Sequence, residues 1–172
     1  MIKRSEKKLF YGVPSKDGGE TTLTRAKFFT DLSVSKNPVE YSRHYVDEES
    51  ERTDVVGYSP YISYNFDDYL GNAILEDIVE IANGELVGLD THRTLVQVDF
   101  SREVDGGYFA VKRDYAVIPD SEGSGTDAYT YGGTFRAVGD KIVGYATVKT
   151  PIDGTSQNVE TITFTQGEVS FG

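Results

Sequence analysis

From Asp54 to Phe66 the chain alternates as a β-strand does, with Tyr58, Ile62, Tyr64 and Phe66 on one parity. Pro60 falls inside this run, so the strand is expected to lie at a sheet edge or to break there. Directly after it, Leu70, Ile74, Ile78 and Ala82 recur at four-residue spacing. Leu75 and Val79 stand beside them, and Glu76, Asp77 and Glu80 occupy the other side. The spacing predicts one helix over residues 68–83, with Leu70, Ile74 and Ile78 as its core face. Asp67 or Asp68 is placed to cap its start, and Asn83-Gly84 to adopt the positive φ at its end.

The rest of the chain reads as short strands. Lys8 to Val13 forms one, and Pro14 to Gly19, with Asp17-Gly18-Gly19, forms a turn. Thr22 to Val34 is extended with imperfect alternation, until Lys36-Asn37-Pro38 breaks it. Thr94, Val96, Val98 and Phe100 alternate before Asp105-Gly106, and Phe109, Val111, Tyr115 and Val117 after it, which predicts a hairpin. Thr134 to Val138 and Lys141 to Val148 flank Gly139-Asp140, which predicts a second tight hairpin. Pro119 to Asp127 and Thr150 to Gln157 read as loops, and Val159 to Thr165 as the last strand. The expectation is one domain over residues 1–172, with flexible ends at about 1–7 and 166–172. Its fold class is mainly β, a two-sheet β-sandwich or barrel with one flanking α-helix and a long acidic loop.

That acidic stretch changes the picture. Glu40, Asp47, Glu48, Glu49, Glu51 and Asp54 stand against only Arg43 and Arg52, and Tyr41, Tyr45, Tyr58 and Tyr61 flank the cluster. With few apolar anchors, the segment is expected to protrude as a loop or hairpin. Long loops in compact domains are generally functional. Tyr45, Asp47, Glu48, Glu49, Glu51 and Arg52 are therefore candidate contacts to a neighbouring subunit.

Overall charge points the same way. Lys and Arg number 17 and Asp and Glu 28, leaving −11. Nucleic-acid binding needs a cationic footprint, and anionic membrane surfaces attract basic segments, so this balance argues against both. The absence of cysteine removes disulfides, thiol catalysis and cysteine metal sites. No apolar run approaches the ~20 residues of a membrane-spanning helix. Leu9 to Val13 is too short for a secretory signal core, so the chain is expected in the cytoplasm when made.

Candidate chemistry is sparse. His44 and His92 are the only histidines, and neither belongs to a metal-ligand spacing. Asp120 to Asp127 places oxygen ligands around Gly123 and Gly125 but lacks the terminal bidentate Glu of a calcium loop. No helix opens at that Gly-x-Gly, so it is not a phosphate cradle. No catalytic, metal or cofactor residue is assigned, and an enzyme is not expected. The 12 tyrosines suit half-buried strand positions, while exposed ones would serve as contact anchors or sugar platforms. A carbohydrate-binding β-sandwich and a small hydrolase with two close carboxylates stand as alternatives.

In the acidic segment from Tyr45 to Asp54, the Thr53-Asp54-Val55-Val56-Gly57-Tyr58-Ser59-Pro60 run, the Ala73 to Val79 helix and the Gly133 to Asp140 segment, the sequence resembles the tail tube (major tail) proteins of long-tailed bacteriophages of Gram-positive bacteria. The likeness spans about Lys8 to Phe164 and is one of pattern and order. It implies a two-sheet β fold with a flanking helix, assembled as stacked hexameric rings. It also implies a tape measure protein and a tail terminator as partners. DNA would pass through the lumen without specific binding, and no membrane is involved. The implied location is the virion tail, reached from the host cytoplasm. The tubes of contractile tails and secretion systems, or a carbohydrate-binding module of a phage adhesion device, are the nearest alternatives. A negative surface suits a lumen through which a polyanion must slide.

Overall fold

The computed structural model describes residues 1–15, 21–104, 106–123, 126–151 and 159–167. Strands β1 (Lys7–Val13), β2 (Thr22–Arg25) and β3 (Phe29–Ser35) open the chain. β4 (Pro38–Arg43), β5 (Arg52–Tyr58) and β6 (Tyr61–Asp67) lead to the helix α1 (Ala73–Gly84). β7 (His92–Val104), β8 (Gly107–Glu122), β9 (Thr130–Ala137), β10 (Ile142–Pro151) and β11 (Val159–Gln166) complete the fold.

Six strands close on themselves in the order β8-β10-β11-β2-β1-β7 and back to β8, all antiparallel. Closure removes the free edges of this ring. Its interior is filled by Phe10, Val96, Val98, Phe100, Ala110, Ala146 and Ile162. From β8 the sheet continues outward through β9 and β6 to β3. The fold is thus mainly β, as the alternation implies, and takes the form of a closed barrel with a sheet extension.

Period-two alternation explains how one strand serves two cores. On β1, Phe10 points into the barrel, while its neighbour Tyr11 points outward. On β7, Val96 goes in and Leu95 out. The outward residues meet α1 and the inner face of the extension in a second core with Ile62, Tyr64, Phe66, Ile74, Leu75, Ile78, Ile81 and Phe135.

α1 is shorter than its pattern. Asp67 still belongs to β6, and the Asp68 amide donates to Tyr129 O at 2.8 Å, so neither residue caps the helix. The chain turns through Gly71 at φ 89°. Asn72 is the cap, its Oδ1 accepting from the amides of Ile74 at 3.0 Å and Leu75 at 3.3 Å. Leu70 therefore precedes the helix and is 94% exposed, contrary to its expected place on the core face. Ile74 and Ile78 occupy that face as expected, fully buried. Each such side chain contributes about 1.5–3 kcal/mol of apolar burial. At the other end Glu85 takes the left-handed conformation, φ 48°, in place of Asn83 or Gly84.

A polar clasp fixes α1 to the barrel. Arg93 of β7 donates to Asp77 of α1 from Nε at 2.8 Å and from a terminal nitrogen at 3.1 Å. Tyr11 OH donates to the same carboxylate. Burial first, and then the Asp77 charge, push the Tyr11 hydroxyl well above the ordinary tyrosine pKa.

Other expectations are met in part and corrected in part. The run from Asp54 to Phe66 breaks at Ser59-Pro60, and Tyr58 falls on a different sheet from Ile62, Tyr64 and Phe66. The β7–β8 hairpin forms, with Val104 opposite Gly107 and Gly106 at φ 98°. Gly139-Asp140 makes no hairpin: β9 and β10 do not pair, and both run antiparallel to β8, one after the other. Ala137 stands opposite Tyr115 and Ile142 opposite Lys112, so residues 138–141 form an outsized bulge where the chain changes partner from β6 to β11. Gly and Asp suit a bulge as well as a turn, and the local sequence is the same for both. Pro119 to Glu122 belongs to β8 and not to a loop. Residues 4–6 form a 3-10 turn and Lys7 begins β1. Gln166 ends β11. The Asp17-Gly18-Gly19 turn, residues 152–157 of the second expected loop and residues 168–172 of the tail lie outside the described residues.

Candidate assembly surfaces

The acidic segment is built as a two-stranded ribbon. β4 and β5 pair only with each other, from Pro38 opposite Tyr58 to Arg43 opposite Arg52, with a bulge after Val39. The ribbon spans six residues of β4, roughly 20 Å at the usual rise per strand residue. It joins the extension through Asn37, whose O accepts from the Ser59 amide at 3.1 Å. Both strands are exposed along their length apart from the half-buried Gly57. Val39, Tyr41, Tyr45, Val46, Val55, Val56 and Tyr58 are all exposed apolar residues of this one element.

The candidate contact residues lie at its tip, where residues 44–51 connect the strands. Arg52 belongs to β5 and grips Glu48 through two contacts, at 2.6 and 2.8 Å. The Arg43 and Arg52 guanidiniums lie over the Tyr45 ring, at 5.6 and 5.8 Å from its centroid. Arg43 also lies over Tyr41 at 5.6 Å. These contacts give the tip its own local order, and of the two expected forms, loop or hairpin, the segment takes the hairpin. Asp47, Glu49 and Glu51 are exposed, whereas Glu48 is half-buried. The remaining candidates, Leu70, Ile74 and Ile78, are far from this surface in role: the first is exposed and the other two are core.

Sequence reasoning missed a second surface. The outer face of β1, β7 and β8 is covered by α1 at one end and open at the other. The open end is a groove of about 480 Å³ with an apolar floor that includes Leu9, Leu32, Ile62, Phe109 and Val111. Arg4, Lys7, Lys36 and Arg102 rim it, with Asp99 as the one carboxylate among the described lining residues, while the Lys8 ammonium lies over Phe100 on the barrel side. Asp99 is 7% exposed and holds Lys7 at 3.8 Å and Arg102 at 3.6 Å, while accepting from the Ser101 amide at 3.1 Å. Burial and the neighbouring Arg25 charge hold the Lys8 ammonium below its ordinary pKa. In a chain of net charge −11 this concentration of cations is exceptional. No local signal reveals it, because its residues come from five separate stretches of sequence.

A larger cleft of about 640 Å³ runs between the end of α1 and β8, lined in part by Thr91, His92, Asp120, Ser121 and Glu122. Two of its polar groups serve local structure: Thr91 Oγ1 donates to Gly88 O at 2.7 Å, and Glu122 accepts from Tyr129 OH at 3.0 Å. Among the described residues no cluster of three or more His, Cys, Asp or Glu is arranged to hold a metal ion. No helix among them is long and apolar enough to cross a membrane. Compared with known proteins, the chain matches no family model and no curated sequence.

Proposed function

We propose that this chain is a structural subunit that assembles with copies of itself into stacked hexameric rings, forming the tail tube of a phage virion through which DNA is ejected. The observation that carries this reading is the β4–β5 ribbon. An isolated two-stranded ribbon is marginal in water, yet this one bears seven exposed apolar side chains on strands and tip. Such an element is stabilised when another chain covers it. The resemblance in pattern to tail tube proteins supplies the geometry of the assembly, and the net charge of −11 supplies a wall that repels a polyanion. In this reading the tape measure protein and tail terminator are its partners. The protein is not an enzyme and carries no cofactor.

Gel filtration with light scattering, followed by negative-stain microscopy of concentrated protein, tests the reading. Six-fold rings or hollow tubes are expected. A chain that stays monomeric at every concentration, with and without tail initiator components, overturns it. Replacing residues 45–51 by a two-residue turn should leave melting nearly unchanged and abolish the tubes. Normal tubes from that variant remove the ribbon from the contact.

A further inference from the structure

We infer that the cation-rimmed groove on the outer barrel face receives the ribbon tip of a second copy of this chain. The inference rests on the reading of the protein as a self-assembling subunit and names the two surfaces that meet.

Charge is the first argument. From Pro38 to Tyr58 the ribbon carries six carboxylates and two arginines, a net of −4 with His44 neutral. Among the described lining residues four cations face the groove, Arg4, Lys7, Lys36 and Arg102, against the one carboxylate of Asp99, a net of +3. Opposite potentials of this kind orient an encounter and exclude other registers.

Shape and polarity give the second argument. The tip presents Tyr45 and the wholly exposed Val46 among its acids. The groove offers an apolar floor inside its basic rim, including Leu32 and the 50% exposed Val34. An apolar centre ringed by paired charges is the usual layout of a protein contact.

Reach decides the occupant. Val34 and Lys36 line the groove and immediately precede Pro38, the base of the ribbon. The tip begins six extended residues further on, roughly 20 Å from that base. A tip therefore stands away from the groove of its own chain and fills that of a neighbour. The contact is heterologous, tip on one copy and groove on the next, and so propagates into a ring or a filament.

The absence of cysteine makes a direct test possible. Two single-cysteine variants, Glu49→Cys and Lys36→Cys, are mixed under assembling conditions and mildly oxidised. A disulfide-linked heterodimer is expected in several-fold excess over either homodimer. In parallel, Arg4→Glu with Lys36→Glu, and separately Glu49→Lys with Glu51→Lys, should each raise the concentration needed for assembly about tenfold, equivalent to ~1.4 kcal/mol. One chain carrying all four reversals should recover assembly, and circular dichroism and melting should show every variant folded. Wild-type protein that assembles, beside variants that assemble equally well or give no cross-link, overturns the inference and leaves the tube reading intact. A folded four-reversal chain that fails to recover also overturns it. Wild-type protein that never assembles overturns both.

Discussion

Arg93 holds both carboxylate oxygens of Asp77, at 2.8 and 3.1 Å, and thereby joins the helix to the barrel wall. Both side chains are only 13% exposed, so each needs the other. Removing one partner of a desolvated pair strands the remaining charge, at a cost of about 3 kcal/mol. Asp77→Ala is expected to lower Tm by roughly 10 °C for a chain of this length, read by calorimetry or circular dichroism. A shift under 2 °C would show that water reaches Arg93 and that the clasp contributes little.

Tyr11 gives the same clasp a pH dependence. Its folded pKa lies well above the ordinary value of about 10, through burial first and the Asp77 charge second. Below pH 10 both folded and unfolded chains hold the proton, and stability is at its full value. Above it the unfolded chain releases the proton first, so stability falls as pH rises. Tyr11→Phe is expected to cost about 1 kcal/mol at pH 7, by loss of one hydrogen bond. In urea titrations from pH 9 to 11.5 it should also flatten the alkaline decline. An unchanged slope would assign that decline to other tyrosines.

Two substitutions separate the helix from its approach. Ile78→Asp places an unpartnered charge where no surface is exposed, costing several kcal/mol, and should yield insoluble protein. Leu70→Asp, at a position 94% exposed, should stay within about 0.5 kcal/mol of the parent. The comparison is made by soluble yield and melting temperature. Equal behaviour of the two would place Leu70 in the core after all.

Tyr64 is stacked between Phe66 and Phe135, at ring separations of 6.0 and 4.6 Å. Its hydroxyl is buried without a hydrogen-bond partner among the described residues. Burial, and then the Asp120 charge, raise its pKa. Tyr64→Phe deletes that unsatisfied group without changing the ring, and stability should rise by up to about 1 kcal/mol. A loss of more than 1 kcal/mol, measured by urea unfolding, would reveal a partner for the hydroxyl.

The elements were legible where local spacing decides them. Ile74, Ile78 and their neighbours specify the helix, because four-residue spacing has few other meanings. Leu70 fits the same spacing but lies outside the helix, because Gly71 and Asn72 impose a turn and a cap that periodicity does not register. Gly139-Asp140 misled for a related reason: a turn and a bulge use the same residues, and only the partner strands distinguish them. The acidic ribbon stood out through its charge. The basic groove did not, since Arg4, Lys36 and Arg102 become neighbours only when the β9-β6-β3 extension packs against the barrel wall.

The bulge at residues 138–141 has an effect on cooperativity. It lets β9 and β10 lie along the same side of β8, so that one uninterrupted strand of 16 residues belongs to the barrel and to the extension. The cluster around Phe10 and the cluster around Tyr64 thus share a backbone ladder, although no residue belongs to both. Opening either one strips hydrogen bonds from β8 and weakens the other. Two separate hydrophobic clusters therefore melt as a single unit, and a subunit with two cores has only one folded state to offer an assembling neighbour.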